Sequence, residues 1–199
     1  MNIILIYVNK PFREYEHLMQ YASLERREKI HSLKNEQDKS LALLSHLRAR
    51  YEASIFLGIP FSDVKFTYNA YGKPFIENCN FHFSLSHSGN LIAFASHTSP
   101  VGIDVQKITT KNDYPALRFL TANEQNFINN IPENLFKIWT MKEAYVKMLG
   151  TGLSTSFKSF DVLDDNLNNL FFTKSLPGYY LSVCAEDIQS EYVNIKTVK

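Results

Sequence analysis

The chain has 199 residues, of which 45% are hydrophobic, and its formal net charge is +1. This length allows either one large domain or two small halves, with enough apolar residues for a sizeable core. The near-neutral balance argues against general binding to nucleic acid or to a membrane surface, so any partner has to be recognised by a local patch. We therefore expect neither nucleic acid nor a membrane among the partners.

Two cysteines, Cys79 and Cys184, form no CxxC pair. A single disulfide is not the usual way to stabilise a chain of this length, so both are predicted to be reduced. The apolar run at residues 3–8 is too short to span a membrane, and no signal-peptide pattern precedes it. The expected location is the cytoplasm.

The hydrophobic period changes along the first hundred residues. Residues 3–8 are predicted to form a buried strand, the charged segment after Ser23 a short helix, and residues 37–56 a longer helix that Gly58 ends. A period of two then predicts a series of strands joined by turns, at residues 64–68, 81–87, 91–97 and 101–106.

Helices return in the second half. A capping-box pattern begins at Thr121, and Pro132 stands at a plausible first helical position of a helix that runs to Leu149. The tail is again strand-like, at residues 160–163, 170–173, 179–185 and 192–198. This order predicts an α+β fold, a pseudo-dimer of two similar α+β halves at residues 1–100 and 101–199.

A polar strand face follows Gly102. The strand period puts Asp104 and Gln106 on one face, and Gly102 would leave open space beside them. An acid and an amide two residues apart can offer oxygens to Mg²⁺, which prefers few protein ligands plus phosphate oxygens and water. The alternative from this segment alone is an edge strand with a solvated polar face.

Two opposite charges lie inside an apolar helical stripe. At 100° per residue, Trp139, Glu143 and Lys147 share one face of the predicted helix. The alternative is a surface pair of the i,i+4 kind, worth only a few tenths of a kcal/mol. Beside an indole ring, however, the two charges would be partly desolvated, which is typical of a functional site.

Two further segments are candidates for binding phosphate. Ser86 and His87 end a predicted strand where hydrogen-bond donors would cluster, and Lys73 lies in a turn between Gly72 and Pro74. The alternatives are a histidine satisfied in the core and an ordinary exposed turn lysine. The sequence has neither a GxGxxG pattern nor a P-loop, so the familiar nucleotide-binding loops are missing.

The order of these segments resembles the Sfp-type 4′-phosphopantetheinyl transferases. The resemblance runs from about Ser23 to Leu153, and its most specific part is the segment Trp139-Thr140-Met141-Lys142-Glu143-Ala144-Tyr145-Val146-Lys147. It implies coenzyme A bound between the two halves. It also implies Mg²⁺-dependent transfer of the phosphopantetheine arm of coenzyme A to a serine of an acyl, polyketide or peptidyl carrier protein, with release of 3′,5′-ADP.

The resemblance also implies a role for each matched residue. Asp104, Gln106 and Glu143 would be metal ligands, and Glu143 or a metal-bound water would take the serine proton. Lys147 would stabilise the leaving phosphate. The remaining contacts to coenzyme A would come from Lys29, Arg50, Lys73, Ser86 and His87, together with Lys147.

Gln106 departs from the glutamate that many members carry, which predicts weaker metal binding. The alternative function is a non-catalytic coenzyme A-binding or carrier-docking protein of the same fold. We expect a monomer. The sequence leaves open which carrier, in fatty-acid, polyketide or non-ribosomal peptide synthesis, is the client.

Overall fold

The computed structural model describes residues 1–109, 114–129 and 131–198. The strands in this part of the chain are β1 Asn2–Tyr7, β2 Thr67–Tyr68, β3 Pro74–Phe75, β4 His82–Ser88, β5 Leu91–His97, β6 Val101–Lys107, β7 Phe171–Leu176, β8 Tyr179–Ala185 and β9 Asn194–Val198. The helices are α1 Leu24–His31, α2 Glu36–Leu57, α3 Tyr114–Leu117, α4 Ala122–Ile128, α5 Pro132–Leu149 and α6 Asp165–Asn168.

The strands form two main sheets and one short hairpin. The first sheet has the order β4-β5-β1-β9, the second has the order β6-β8-β7, and β2 pairs with β3. β1 pairs with β5 antiparallel and with β9 in parallel, so a strand from the end of the chain completes the sheet of the first half. One apolar cluster joins Ile3 and Ala93 of the first sheet to Ile103 and Leu181 of the second. The two sheets therefore share a continuous core.

Serine side chains join the edges of the two sheets. The hydroxyl oxygens of Ser84, Ser86 and Ser88 on β4 accept hydrogen bonds from alternate backbone N–H groups of β6, those of residues 103, 105 and 107, at 3.1, 3.3 and 3.0 Å. Side chains take the place that backbone carbonyls have in an ordinary ladder. We call this contact the serine seam.

Helix α5 packs directly on β6. A Cβ at Gly102 would lie 1.9 Å from the carbonyl oxygen of Ala144 and 2.4 Å from the backbone nitrogen of Met148. Only a glycine permits this approach of the two backbones. The space that the sequence predicts beside Gly102 is thus filled by α5, which brings the polar face of β6 next to the charged stripe of the helix.

The mixed α+β architecture expected from the sequence is confirmed. Most predicted elements are present, and α5 and β5 have their predicted bounds. Two predictions fail. The strand at 64–68 is reduced to Thr67–Tyr68, and residues 160–163 form no strand because side chains bind their backbone groups: Lys142 donates to the Phe160 carbonyl and Glu124 accepts from the Val162 N–H.

Both cysteines are free, as expected; Cys79 is half-buried and Cys184 is buried. Burial raises the pKa of the Cys184 thiol to about 12, so the thiol stays protonated. No helix in the described part of the chain has the length and apolarity needed to cross a membrane.

Candidate active site

A cleft of about 400 Å³ opens where β4, β6 and α5 meet the first two helices. Its walls are formed by Arg26, Ala42, Ser45, Leu85, Ser86, His87, Asp104, Gln106, Trp139, Glu143 and Lys147. Six of the predicted site residues, from three separate sequence segments, are therefore brought together. The volume lies within the range of about 300–1,000 Å³ that is usual for small-molecule sites.

Asp104 is the hub of the polar contacts in this cleft. One of its carboxylate oxygens, Oδ1, accepts hydrogen bonds from Lys147 Nζ at 2.6 Å and from Ser86 Oγ at 2.7 Å. Asp104 is only 6% exposed, whereas the Lys147 side chain is 29% exposed. The buried carboxylate thus holds an ammonium group that still faces the cleft.

Glu143 and Trp139 project from α5 beside Lys147, as the helical stripe predicts. Within the described residues the Glu143 carboxylate has neither a hydrogen bond nor an ion pair. Burial raises the pKa of Glu143, the nearby Asp104 carboxylate raises it further, and Lys147 opposes both. A carboxylate with a raised pKa and unoccupied oxygens can accept a proton or bind a cation.

Ser86 and His87 lie at the end of β4, on the opposite wall. The Ser86 hydroxyl donates to Asp104 and accepts from Val105, so it orients the carboxylate and belongs to the serine seam. His87 is exposed at the rim. Partial desolvation by the cleft walls lowers the pKa of its imidazole, and the Lys147 ammonium lowers it further. The ring therefore favours the neutral form in the free protein.

Arg26 and Ser45 line the cleft although the sequence did not indicate them as site residues. Arg26 Nε and Ser45 Oγ are buried and have no hydrogen-bond partner among the described residues. The other end of the Arg26 guanidinium donates to the Ala42 carbonyl at 3.2 Å. A cation and a hydroxyl with unused capacity in a cleft suit an anionic ligand. The charged run of α1 contains Arg26, but its period does not reveal which face meets β4.

Three predicted coenzyme A contacts lie outside this cleft. Lys29 is exposed and forms an ion pair with Glu25 at 2.6 Å. The Arg50 guanidinium donates to four backbone carbonyls, those of residues 21, 61, 62 and 64, and it borders a separate groove. Lys73 Nζ donates to carbonyls of α5 and β6. Their assignment to coenzyme A therefore stays a prediction.

The cleft residues fit a hard divalent cation. In the part of the chain that the structure describes, no group of three or more His, Cys, Asp or Glu side chains could hold a metal ion. The cleft instead offers two carboxylates, Asp104 and Glu143, and the amide of Gln106. Mg²⁺ commonly binds one or two carboxylates and completes its shell with water and phosphate oxygens. A bound cation would offset both causes that raise the Glu143 pKa, which are burial and the nearby Asp104 carboxylate.

Known proteins match both halves of the chain. The model of the 4′-phosphopantetheinyl transferase superfamily matches residues 100–194, and the model of the 4′-phosphopantetheinyl transferase N-terminal region matches residues 10–99. The 4′-phosphopantetheinyl transferase ffp of Bacillus subtilis is 31% identical over 212 residues, which cover 93% of this chain and 92% of the relative. The chain belongs to the 4′-phosphopantetheinyl transferase superfamily.

Two further relatives agree with this membership. The 4′-phosphopantetheinyl transferase Sfp of Bacillus subtilis is 30% identical over 206 residues, covering 93% of this chain and 92% of the relative. The 4′-phosphopantetheinyl transferase psf-1 of Bacillus pumilus is 29% identical over 205 residues, covering 93% and 88%. The resemblance predicted from the sequence is thereby confirmed. Because these relatives are named as transferases, the enzyme is favoured over the alternative of a non-catalytic protein of the same fold.

Proposed function

We propose that this phosphopantetheinyl transferase moves the 4′-phosphopantetheine arm of coenzyme A to a serine of a carrier protein, with Mg²⁺ held by Asp104 and Glu143 and, more weakly, by Gln106. The observation that carries the proposal is the Lys147–Asp104 contact of 2.6 Å beside the Glu143 carboxylate, which has no partner in the described part of the chain. Two carboxylates that can hold Mg²⁺, with a lysine in the same cleft, suit a substrate whose pyrophosphate is anionic.

In this proposal the carrier serine oxygen attacks the phosphorus that bears the pantetheine arm. The bond from that phosphorus to the oxygen of 3′,5′-ADP breaks, and the serine proton passes to Glu143. Glu143 suits this task because its carboxylate lines the cleft and has no hydrogen-bond partner among the described residues, so an oxygen is open to accept the proton. Bound Mg²⁺ would neutralise charge on the pyrophosphate oxygens.

Lys147 would stabilise the departing phosphate. Its ammonium is anchored by Asp104 and therefore needs little reorganisation when charge develops on the leaving oxygen. His87 and Arg26 would contact phosphate groups of coenzyme A from the β4 and α1 walls, whereas the hydroxyl proton of Ser86 is already donated to Asp104. The contact from α1 is supported by Arg26 Nε, which is buried and has no hydrogen-bond partner within the described residues.

The test is a panel of apo carrier proteins of the acyl, polyketide and peptidyl classes. Each is incubated with the purified protein, coenzyme A and Mg²⁺, and its intact mass is measured. We expect the mass of one phosphopantetheine arm to be added to the serine of at least one carrier, with loss of activity when Mg²⁺ is removed by a chelator. No gain on any carrier would refute the proposal.

Variants of the two carboxylates test their roles within the same assay. We expect Glu143→Gln and Asp104→Asn each to lower the transfer rate by about 100-fold or more, since each removes a charge on which catalysis depends. Lys174→Met, an exposed change on β7, is the control. Unchanged thermal unfolding would show that the fold survives, and a Glu143→Gln protein with wild-type turnover would remove Glu143 from the proposed chemistry.

A further inference from the structure

A turn of the first half closes over the C-terminal end of α5. Asn69 Oδ1 accepts hydrogen bonds from the backbone N–H groups of Tyr71 and Lys73, both at 2.9 Å, and Gly72 takes a φ of 83° that favours glycine. The turn at residues 69–73 is therefore held by its own first side chain. Its remaining polar groups, the Asn69 amide nitrogen and the Lys73 ammonium, point to the helix.

Both groups bind carbonyls at the end of α5. Asn69 Nδ2 donates to the Gly150 carbonyl at 2.8 Å, and Lys73 Nζ donates to the carbonyls of Lys147 at 2.5 Å and Met148 at 3.3 Å. The last four carbonyls of a helix have no partner within the helix, and a cation there also complements the helix dipole. A third bond from Lys73, to Val101 at 3.2 Å, ties the same ammonium to β6.

The hydrogen-bond donors of the Lys73 ammonium are all used at this end of the helix. A Cβ at Gly150 would lie 3.1 Å from Asn69 Nδ2 and 3.2 Å from Lys73 Cδ and would crowd both side chains, and the φ of 72° at this position also favours glycine. A lysine ammonium has three donors, and here three carbonyls accept from it. Burial lowers the pKa of Lys73 to about 8, in keeping with its enclosed position.

We propose that Lys73 is a positioning residue that, together with Asn69, clamps the last turn of α5 and thereby sets the place of Lys147, instead of binding the coenzyme A phosphates itself. One acceptor of the clamp is the backbone carbonyl of Lys147, whose ammonium lies 2.6 Å from Asp104. A displacement of about 1 Å at a reacting group can cost about 100-fold in rate. The catalytic consequence rests on the proposed function, whereas the clamp is a property of the free protein.

Two variants that break the clamp in different ways test the proposal by kinetics. Lys73→Met removes the ammonium, and Asn69→Ser removes the amide donor to Gly150 without changing any charge, while its hydroxyl can still accept from the turn. We expect both to lower kcat for carrier modification about tenfold or more and to change the KM for coenzyme A by less than about threefold. Lys73→Arg should recover part of kcat, and Lys174→Met is the charge-matched control.

Hydrogen exchange on the protein without substrates gives an independent readout. We expect the amides at residues 145–152 to exchange faster in Lys73→Met and Asn69→Ser than in wild type and Lys174→Met. Unchanged exchange would overturn the proposal. A KM that rises about tenfold at constant kcat in Lys73→Met would also overturn it and would make Lys73 a direct phosphate ligand. If the wild-type protein modifies no carrier, the proposed function fails while the exchange data still decide the clamp. Should Lys73→Met not fold, Asn69→Ser and Lys73→Arg provide the same comparison.

Discussion

Gln106 offers the cleft a neutral amide beside the carboxylates of Asp104 and Glu143. We expect Gln106→Glu to lower the Mg²⁺ concentration for half-maximal transfer roughly tenfold, since charged oxygen ligands bind this cation more tightly. The measurement is the transfer rate against Mg²⁺ concentration. Gln189→Glu, an exposed change that adds the same charge elsewhere, is the control. An unchanged or higher Mg²⁺ requirement would remove Gln106 from the metal shell.

His46 gives the protein a predictable pH dependence of stability. Its Nε2 is buried without a partner among the described residues, and its ring meets the Phe66 ring edge-on with centroids 6.0 Å apart. Burial, followed by the charges of Arg26 and Arg50, lowers the pKa of His46 from 6.5 to about 4. The unfolded chain therefore binds this proton more tightly than the folded one. The free energy of unfolding therefore has its full value, as far as His46 is concerned, above pH 6.5, and it falls as the pH drops from 6.5 toward 4.

From this difference we expect the free energy of unfolding to fall by about 2 kcal/mol between pH 7 and pH 5 on account of His46. In His46→Gln the fall should shrink by that amount, because the amide does not titrate. Urea unfolding at the two pH values measures the effect, and His17→Gln, at an exposed position, is the control. An equal fall in wild type and His46→Gln would assign the pH dependence to other groups.

At the scale of the elements, a fully buried ion pair joins two helices to the loop after them. Lys142 Nζ lies 2.8 Å from Glu124 Oε1, and both side chains are completely buried. Lys142 also donates to the carbonyls of Phe157 and Phe160 at 2.6 and 2.7 Å, and Glu124 accepts from the Val162 N–H at 2.9 Å. The pair thus fixes α4 and the 157–162 loop against the helix that carries Glu143 and Lys147.

We expect Lys142→Met to lower the free energy of unfolding by about 3–5 kcal/mol, because it leaves the Glu124 charge buried without an opposite charge beside it. Lys142→Met combined with Glu124→Gln should recover a large part of this loss, since the amide is neutral and still offers an oxygen to the loop. Urea unfolding measures both. Lys29→Met breaks an exposed pair and should change stability by less than about 0.5 kcal/mol. A loss below about 1 kcal/mol for Lys142→Met would contradict this account of the pair.

Elements with a strong internal period could be predicted from the sequence, and those that depend on distant side chains could not. The bounds of α5 and its stripe of Trp139, Glu143 and Lys147 follow from helical spacing between Pro132 and Gly150. The predicted strand at 160–163 is absent because Lys142 and Glu124 bind backbone groups there, a long-range contact that no local pattern contains.

The same limit applies to the cleft. Asp104 and Gln106 could be predicted because the strand period puts them on one face. Arg26 and Ser45 could not, because the choice of helix face that meets β4 is made by tertiary packing. Arg50 lies where a basic residue was expected, yet the guanidinium satisfies carbonyls of the short 3-10 helix Phe61–Asp63 and of Val64 after it, which lack strand partners.

At the scale of the whole molecule, the serine seam separates two ladders that share one core. We retain the division into residues 1–100 and 101–199 as a proposal, since β4 and β6 are joined by side chains where the two ranges meet. The strand β9 is an exception to this division, because it belongs to residues 101–199 but pairs with β1. The seam also fixes the position of Asp104 relative to β4. Ser84 and Ser88, the serines on either side of Ser86, accept hydrogen bonds from the backbone N–H groups of residues 103 and 107 of β6.

The seam predicts an order of stabilities for its two outer serines. Ser84 is only 6% exposed, so Ser84→Ala leaves the Ile103 N–H buried without an acceptor and should lower the free energy of unfolding by about 1–3 kcal/mol. Ser88 accepts from Lys107 at an exposed site, where water can replace the hydroxyl, so Ser88→Ala should cost less. Urea unfolding measures both variants, with Ser175→Ala on the exposed face of β7 as control. A larger loss for Ser88→Ala than for Ser84→Ala would contradict this dependence on burial, and no loss for either variant would show that the seam does not stabilise the contact between the sheets.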